Sequence, residues 1–174
     1  MREVADADRI RRFMRTLGVE ADVDTRVYFT GGATAVLYGW RPSTIDVDIK
    51  FVPESDRIYR AIPRVKESLR INVELASPLD FIPVPPGWED RSPYIAHEGS
   101  ISYHHFDLYA QALAKVERSH AQDLGDVGEM IQRGLIDPPE ALQYFSAIEP
   151  SLYRFPALDP ASFRRAVQEI FRAR

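Results

Sequence analysis

There is no cysteine in this chain. That excludes disulfides, a thiol nucleophile and a zinc–thiolate centre. No apolar run approaches the roughly 18 residues that a membrane-spanning helix needs. The opening MREVADADRIRRF carries no apolar signal core, so cytoplasmic residence is the expectation. An excess of positive charge is missing too. There are 22 Lys and Arg against 26 Asp and Glu, a formal net charge of −4. This argues against a uniformly basic nucleic-acid binder but leaves room for a local basic groove. Histidine is scarce, and His97, His104 and His105 lack the spacing of a helical metal site, so no zinc centre is expected. Repeats and low-complexity tracts are absent from the sequence. With 45% hydrophobic and 28% charged residues, the 174-residue chain has a globular composition. It suits one domain, or a core with a helical appendage.

The most informative stretch is VYFTGGATAVLYGWRPSTIDVDIKF, Val27 to Phe51. Val27–Phe29 is β-prone and ends at Gly31-Gly32. Ala33–Gly39 reads as a short helix, broken by Pro42 and Ser43. Ile45–Phe51 then alternates, with Ile45, Val47, Ile49 and Phe51 on one side of a strand and Asp46, Asp48 and Lys50 on the other. Two carboxylates side by side repel each other, and a cation between them relieves the repulsion. Hard oxygen ligands on a rigid strand suit Mg²⁺ or Mn²⁺, and Mg²⁺ is commonly held by one or two carboxylates plus substrate phosphates. The Gly-Gly turn lets phosphates approach the backbone, and the following helix start favours an anion. Metal and phosphate together point to phosphoryl or nucleotidyl transfer.

The order Gly31-Gly32, 13 residues (Ala33–Ile45), then Asp46-x-Asp48 resembles the signature of the DNA polymerase β nucleotidyltransferase superfamily. The wording GGATAVLYG…RPSTIDVDI resembles minimal nucleotidyltransferases and the AbiEii-like toxin nucleotidyltransferases. ALAKVERSHAQDLGDVGEMIQRGLI resembles the K-x-x-R…KD-x-x-D helix element of the latter, with Gln122 where a lysine usually precedes the first aspartate. The resemblance implies a metal-dependent nucleotidyltransferase that uses an NTP, ATP among the candidates. Asp46 and Asp48 would bind the metal, and a third carboxylate on a neighbouring strand would complete the site. Glu74 in INVELA fits that position, with Asp80 as its competitor. Gly31 and Gly32, with Thr34 nearby and Arg41, would cradle phosphates. Lys115 would contact the triphosphate, supported by Asp123 or Asp126. The acceptor implied is RNA (a tRNA 3′ end) or a protein hydroxyl, in a toxin–antitoxin setting with an antitoxin partner. The same residues also admit a phosphotransferase or nuclease, a non-catalytic binding or antitoxin module of that fold, and an RNA-binding accessory protein.

Around this stretch, Asp6 or Asp8 can cap a helix to about Leu17 whose buried stripe is Ile10, Phe13, Met14 and Leu17. Ser55 or Asp56 starts a second helix to about Arg70, which Pro63 is expected to kink or split. Ile71–Ala76 reads as a strand, and Pro78–Pro93 as irregular chain. Tyr94–Phe106 reads as a hairpin turning at Glu98–Ser100. Helices are expected after Asp107, from Asp123 to Gly134, from Pro138 and from Asp159, the last ending in Arg172 and Arg174. The expected fold is α+β: a short mixed β-sheet backed by helices, residues 1–106 as the nucleotidyltransferase core, with a helical C-terminal portion over 107–174.

Overall fold

The computed structural model describes residues 2–172, so Arg174 lies outside the described residues. The chain divides into two compact units, Met1–Ser77 with Ser92–Phe106, and Pro78–Arg91 with Asp107–Arg174. The class is the expected α+β, with a mixed sheet.

The first unit contains α1 (Ala7–Gly18), β1 (Thr25–Thr30), α2 (Gly32–Tyr38), β2 (Asp46–Val52), α3 (Asp56–Leu69), β3 (Asn72–Leu75), β4 (Tyr94–Glu98) and β5 (Ile101–His105). The strands lie in the order β3-β2-β1-β5-β4. β1 pairs antiparallel with β2 and parallel with β5. β2 and β3 run parallel, and β4–β5 is the expected hairpin. Register partners share a face. Val27 opposes Phe51 and Tyr103, Phe29 opposes Ile49, and Val47 opposes Val73. This face is apolar and packs with α1 and α3 through Phe13, Leu17, Ile58 and Val65. The opposite face carries Asp46, Asp48, Asn72 and Glu74.

Two expectations need correction. Ile45 stands before β2 and is 74% exposed, so the inward alternation begins at Val47. α3 is a single helix with Pro63 inside it, not two pieces. An interior proline costs about 3 kcal/mol or more. Here the buried stripe Ile58, Ala61, Ile62 and Val65 spans both sides of the proline, and its burial offsets that cost.

The second unit holds α4 (Trp88–Arg91), α5 (Leu108–Arg118), α6 (Ala121–Gln132), α7 (Pro138–Ile148) and α8 (Pro160–Arg172). Its proline-rich segment is more regular than expected, with a 3₁₀ turn at Pro78–Asp80 and the one-turn α4. Arg91 organises it. The guanidinium donates to Asp107 Oδ2 (3.1 and 2.8 Å) and to the carbonyls of Pro85 and Pro86 (3.0 and 2.7 Å), and lies over the Tyr144 ring. Asp107 is buried, and its other oxygen caps α5 through the Tyr109 N–H. One ion pair thus fixes both a helix start and a loop that proline leaves short of donors. Among the described residues, no helix is long and apolar enough to cross a membrane.

Candidate active site

The site is built from the end of β1 upward. Gly31 has φ +64° and ψ −130°, backbone that residues with a Cβ rarely adopt. A Cβ there would stand 3.2 Å from Asp48 Oδ2. At Gly32 a Cβ would meet Thr44 Oγ1 at 2.0 Å and Thr44 Cβ at 2.7 Å, with Arg41 Nη1 at 3.4 Å. Thr44 is held in turn. Its hydroxyl donates to the Asp46 carbonyl at 3.0 Å, and its backbone exchanges hydrogen bonds of 2.8 and 2.9 Å with Ala5. The Gly-Gly turn, the Arg41 loop and the start of β2 therefore meet at van der Waals distance, and only glycine fits between them.

Gly32→Ala is accordingly expected to destabilise the protein by about 1–3 kcal/mol, because it must push Thr44 off Asp46. Gly125→Ala, on α6 with nothing near its missing Cβ, is expected to be neutral or stabilising by up to about 1 kcal/mol. Denaturant unfolding of the two variants checks this. Equal stabilities would contradict the contact.

The carboxylates follow from register. Asp48 is paired with Glu74, and Asp46 with Asn72. Asp46 and Asp48 are half-buried and Glu74 is exposed. Asn72 donates from Nδ2 to Asp46 Oδ1 at 2.6 Å and to Glu74 Oε1 at 3.0 Å, while Arg2 donates to Asn72 Oδ1. The amide thus separates two acids that would otherwise repel. Among the described residues, no three His, Asp or Glu side chains stand close enough to enclose a metal ion. The donor set instead suits Mg²⁺ or Mn²⁺ in their more open mode, with two carboxylates and the remaining positions taken by substrate oxygens or water.

Thr34 is fully buried, beneath the turn rather than lining it. Its hydroxyl shares a 3.0 Å hydrogen bond with His105 Nδ1 and lies 3.4 Å from the Phe29 carbonyl. Tyr38 stacks on His105 at 4.4 Å and on Trp40 at 5.7 Å. Burial, with His104 beside it, pushes the His105 pKa down from 6.5 to about 3. A folded-state pKa below the unfolded one means that the unfolded chain binds this proton more readily. The contribution is therefore constant above about pH 6.5 and is lost as pH falls towards about 3. The loss is roughly 1.4 kcal/mol per pH unit within that window. His105→Gln is expected to remove this slope, read as the difference between the two proteins' unfolding free energies at pH 7 and pH 4.5. A parallel pH dependence in both would contradict it.

In the second unit, Lys115 of α5 is buried and donates to Asp126 Oδ2 at 2.7 Å, with Asp123 Oδ1 at 3.6 Å. Arg118 grips Asp123 with two bonds of 2.6 and 3.1 Å. Burial works against ionisation of Asp123, but Arg118, Lys115 and His120 outweigh it and hold the carboxyl below its usual range. Two cations and two buried carboxylates thus form a balanced cluster between α5 and α6. Asp80 ends the 3₁₀ turn of this unit.

The first unit thus brings together Gly31, Gly32, Arg41, Asp46, Asp48 and Glu74. The second gathers Lys115, Asp123 and Asp126. Asn72, Thr44 and Arg2 join the site without having been anticipated. Asn72 carried a readable signal, being two residues before Glu74 on the same strand face, as Asp46 is before Asp48.

This mixed sheet, with its glycine turn against an Asp-x-Asp strand, is consistent with a nucleotidyltransferase-like fold. The chain belongs to the family described as "nucleotidyltransferase of unknown function" (DUF6036), whose model matches residues 8–153. No curated protein and no solved structure gives a significant match.

Proposed function

We propose that the protein transfers a nucleotidyl group from an NTP to a hydroxyl acceptor, dependent on Mg²⁺ or Mn²⁺. The observation that carries this reading is the register: Asp46, Asp48 and Glu74 share one sheet face, with Gly31 against Asp48. Asp46 and Asp48 would hold the metal, which when bound neutralises charge on the α-phosphate and the leaving pyrophosphate. Gly31 and Gly32 would offer backbone N–H groups to the β- and γ-phosphates, and Arg41 a guanidinium. Thr34, bonded to His105, supports the turn from beneath. The acceptor oxygen attacks the α-phosphorus, the bond to the β-phosphate oxygen breaks, and pyrophosphate leaves. Glu74, the exposed acid, would take the acceptor's proton, and Asn72 would keep it oriented. Most of the rate then comes from positioning and fixed charge.

The lysine that AbiEii-like enzymes set against the triphosphate corresponds to Lys115, whose amine is held here by Asp126 and Asp123. The finer resemblance to AbiEii-like enzymes suggests a cytoplasmic toxin of a toxin–antitoxin pair, acting on RNA or on a protein hydroxyl. A second reading, a non-catalytic binding or antitoxin module, draws support from the engagement of Lys115 by its own carboxylates. Incubation with Mg²⁺, each α-³²P-labelled NTP, total RNA and lysate protein separates the two. Label on a macromolecule supports transfer. NTP binding without transfer under any of these conditions supports the module.

A further inference from the structure

On the side of the sheet that α3 covers lies a groove of about 820 Å³. Its walls come from α3, from Leu75 of β3 and from Arg2. β3 is an outer strand of the sheet, so the groove runs along a sheet edge. Lys66, Arg70 and Arg2 bring three cations to it, and Glu67 one acid. Lys66 and Arg70 are four residues apart, and Arg70 keeps its side chain 69% exposed although it reaches Glu3 at 3.3 Å. Between these charges sit apolar side chains in the open, Tyr59 at 40% and Leu75 at 48% exposure. The Tyr59 ring is held edge-on to Phe51, with 4.8 Å between centroids. A chain with a formal charge of −4 has here gathered cations on one side of a wall that also carries an aromatic ring.

Arg2 lines the groove and, at the β3 edge of the sheet, donates to Asn72 on the other face. Leu75 lines it from the face opposite Glu74, so the groove and the carboxylates lie on opposite faces of the sheet. Cations that track phosphates, interleaved with an aromatic and an aliphatic surface for base faces, are the chemistry of a single-stranded nucleic-acid site. A polyglutamate peptide would satisfy the cations but offer no rings to Tyr59.

We propose that this groove binds a single-stranded polynucleotide. The binding does not depend on the nucleotidyltransferase reading above. The test uses fluorescence anisotropy of a fluorescein-labelled single-stranded RNA of about twelve nucleotides, in EDTA and without NTP. Lys66→Glu/Arg70→Glu is expected to weaken binding at least about tenfold at low salt. The slope of log K against log salt should shrink by about 1.4, or about 0.7 for each lost phosphate contact on a single strand. Tyr59→Ala is expected to cost about tenfold through lost stacking, with less change in that slope. Lys66→Gln/Arg70→Gln, checked for an unchanged melt, guards against misfolding of the charge reversal and should show the same reduced slope. Asp46→Ala/Asp48→Ala should still bind. Wild type that binds no RNA, groove variants that bind as wild type does, or a polyglutamate peptide that competes equally would each overturn the proposal. RNA bound through the groove but not labelled by α-³²P-NTP would leave the groove standing and count against the transfer reading alone.

Discussion

Asp46→Asn/Asp48→Asn is expected to lower nucleotidyl transfer by about a thousandfold or more while leaving the protein at least as stable as wild type. The two effects share a cause. Both side chains are half-buried on the polar face of β2, opposite the apolar face that α1 and α3 cover. Removing two like charges that face Glu74 relieves repulsion and leaves no cavity, because asparagine has the shape of aspartate. The same removal takes away the hard anionic oxygens that a divalent cation needs, and loss of one well-placed electrostatic group alone costs about 10²–10³ in rate. Turnover on labelled NTP and the unfolding midpoint, measured on the same preparation, test both halves. A variant that loses activity by unfolding would assign these acids a structural role. One that stays active would remove them from the chemistry.

Lys115→Met is expected to destabilise the second unit by about 3–5 kcal/mol, the cost of leaving buried charge uncompensated. Asp123 and Asp126 would remain buried, with Arg118, itself exposed, still paired to Asp123 and His120 Nδ1 at 3.8 Å from it. Pairing holds the Asp123 carboxyl below its usual range. In wild type its stabilisation is therefore present above the unfolded carboxylate pKa and lost as pH falls through the folded one. The gap between variant and wild type should accordingly be widest near neutral pH and narrow in acid, where the Asp123 carboxylate becomes protonated. Lys115→Met/Asp126→Leu should recover much of the loss, since a buried pair replaced by apolar groups is often neutral. Urea unfolding of the two variants and wild type at pH 7 and pH 4 measures this, and a Lys115→Met cost under 1 kcal/mol at both would contradict it.

Much of the site's strand geometry was legible because a strand has a period of two. The alternation from Val47 onward places Asp46 and Asp48 on one face, and V-E-L places Glu74 likewise. The Gly-Gly turn was legible as a turn, but its tightness was not. That Gly32 abuts Thr44 depends on how the loop from Gly39 to Ile45 folds back, and no local pattern encodes this. The alternation marks Asn72 as sharing the Glu74 face, but only register, not the strand's own pattern, sets its amide beside Asp46. The spacing of Asp123 and Asp126 fixes a shared helix face. It does not say whether that face meets solvent or, as found, a lysine from the preceding helix. Pro63 misled for a related reason. Local backbone chemistry disfavours a helix there, and tertiary burial on both sides of it prevails. Ile45 was misread because its alternation continues past the end of the ladder.

If Asp46, Asp48 and the Gly31–Gly32 turn form one metal–nucleotide site, a crystal grown with Mn²⁺ and a non-hydrolysable NTP should show an anomalous peak bound by Asp46 and Asp48, with the triphosphate against the backbone N–H groups of Gly31 and Gly32. Manganese and nucleotide bound elsewhere on the chain, with the two aspartates unengaged, would contradict it.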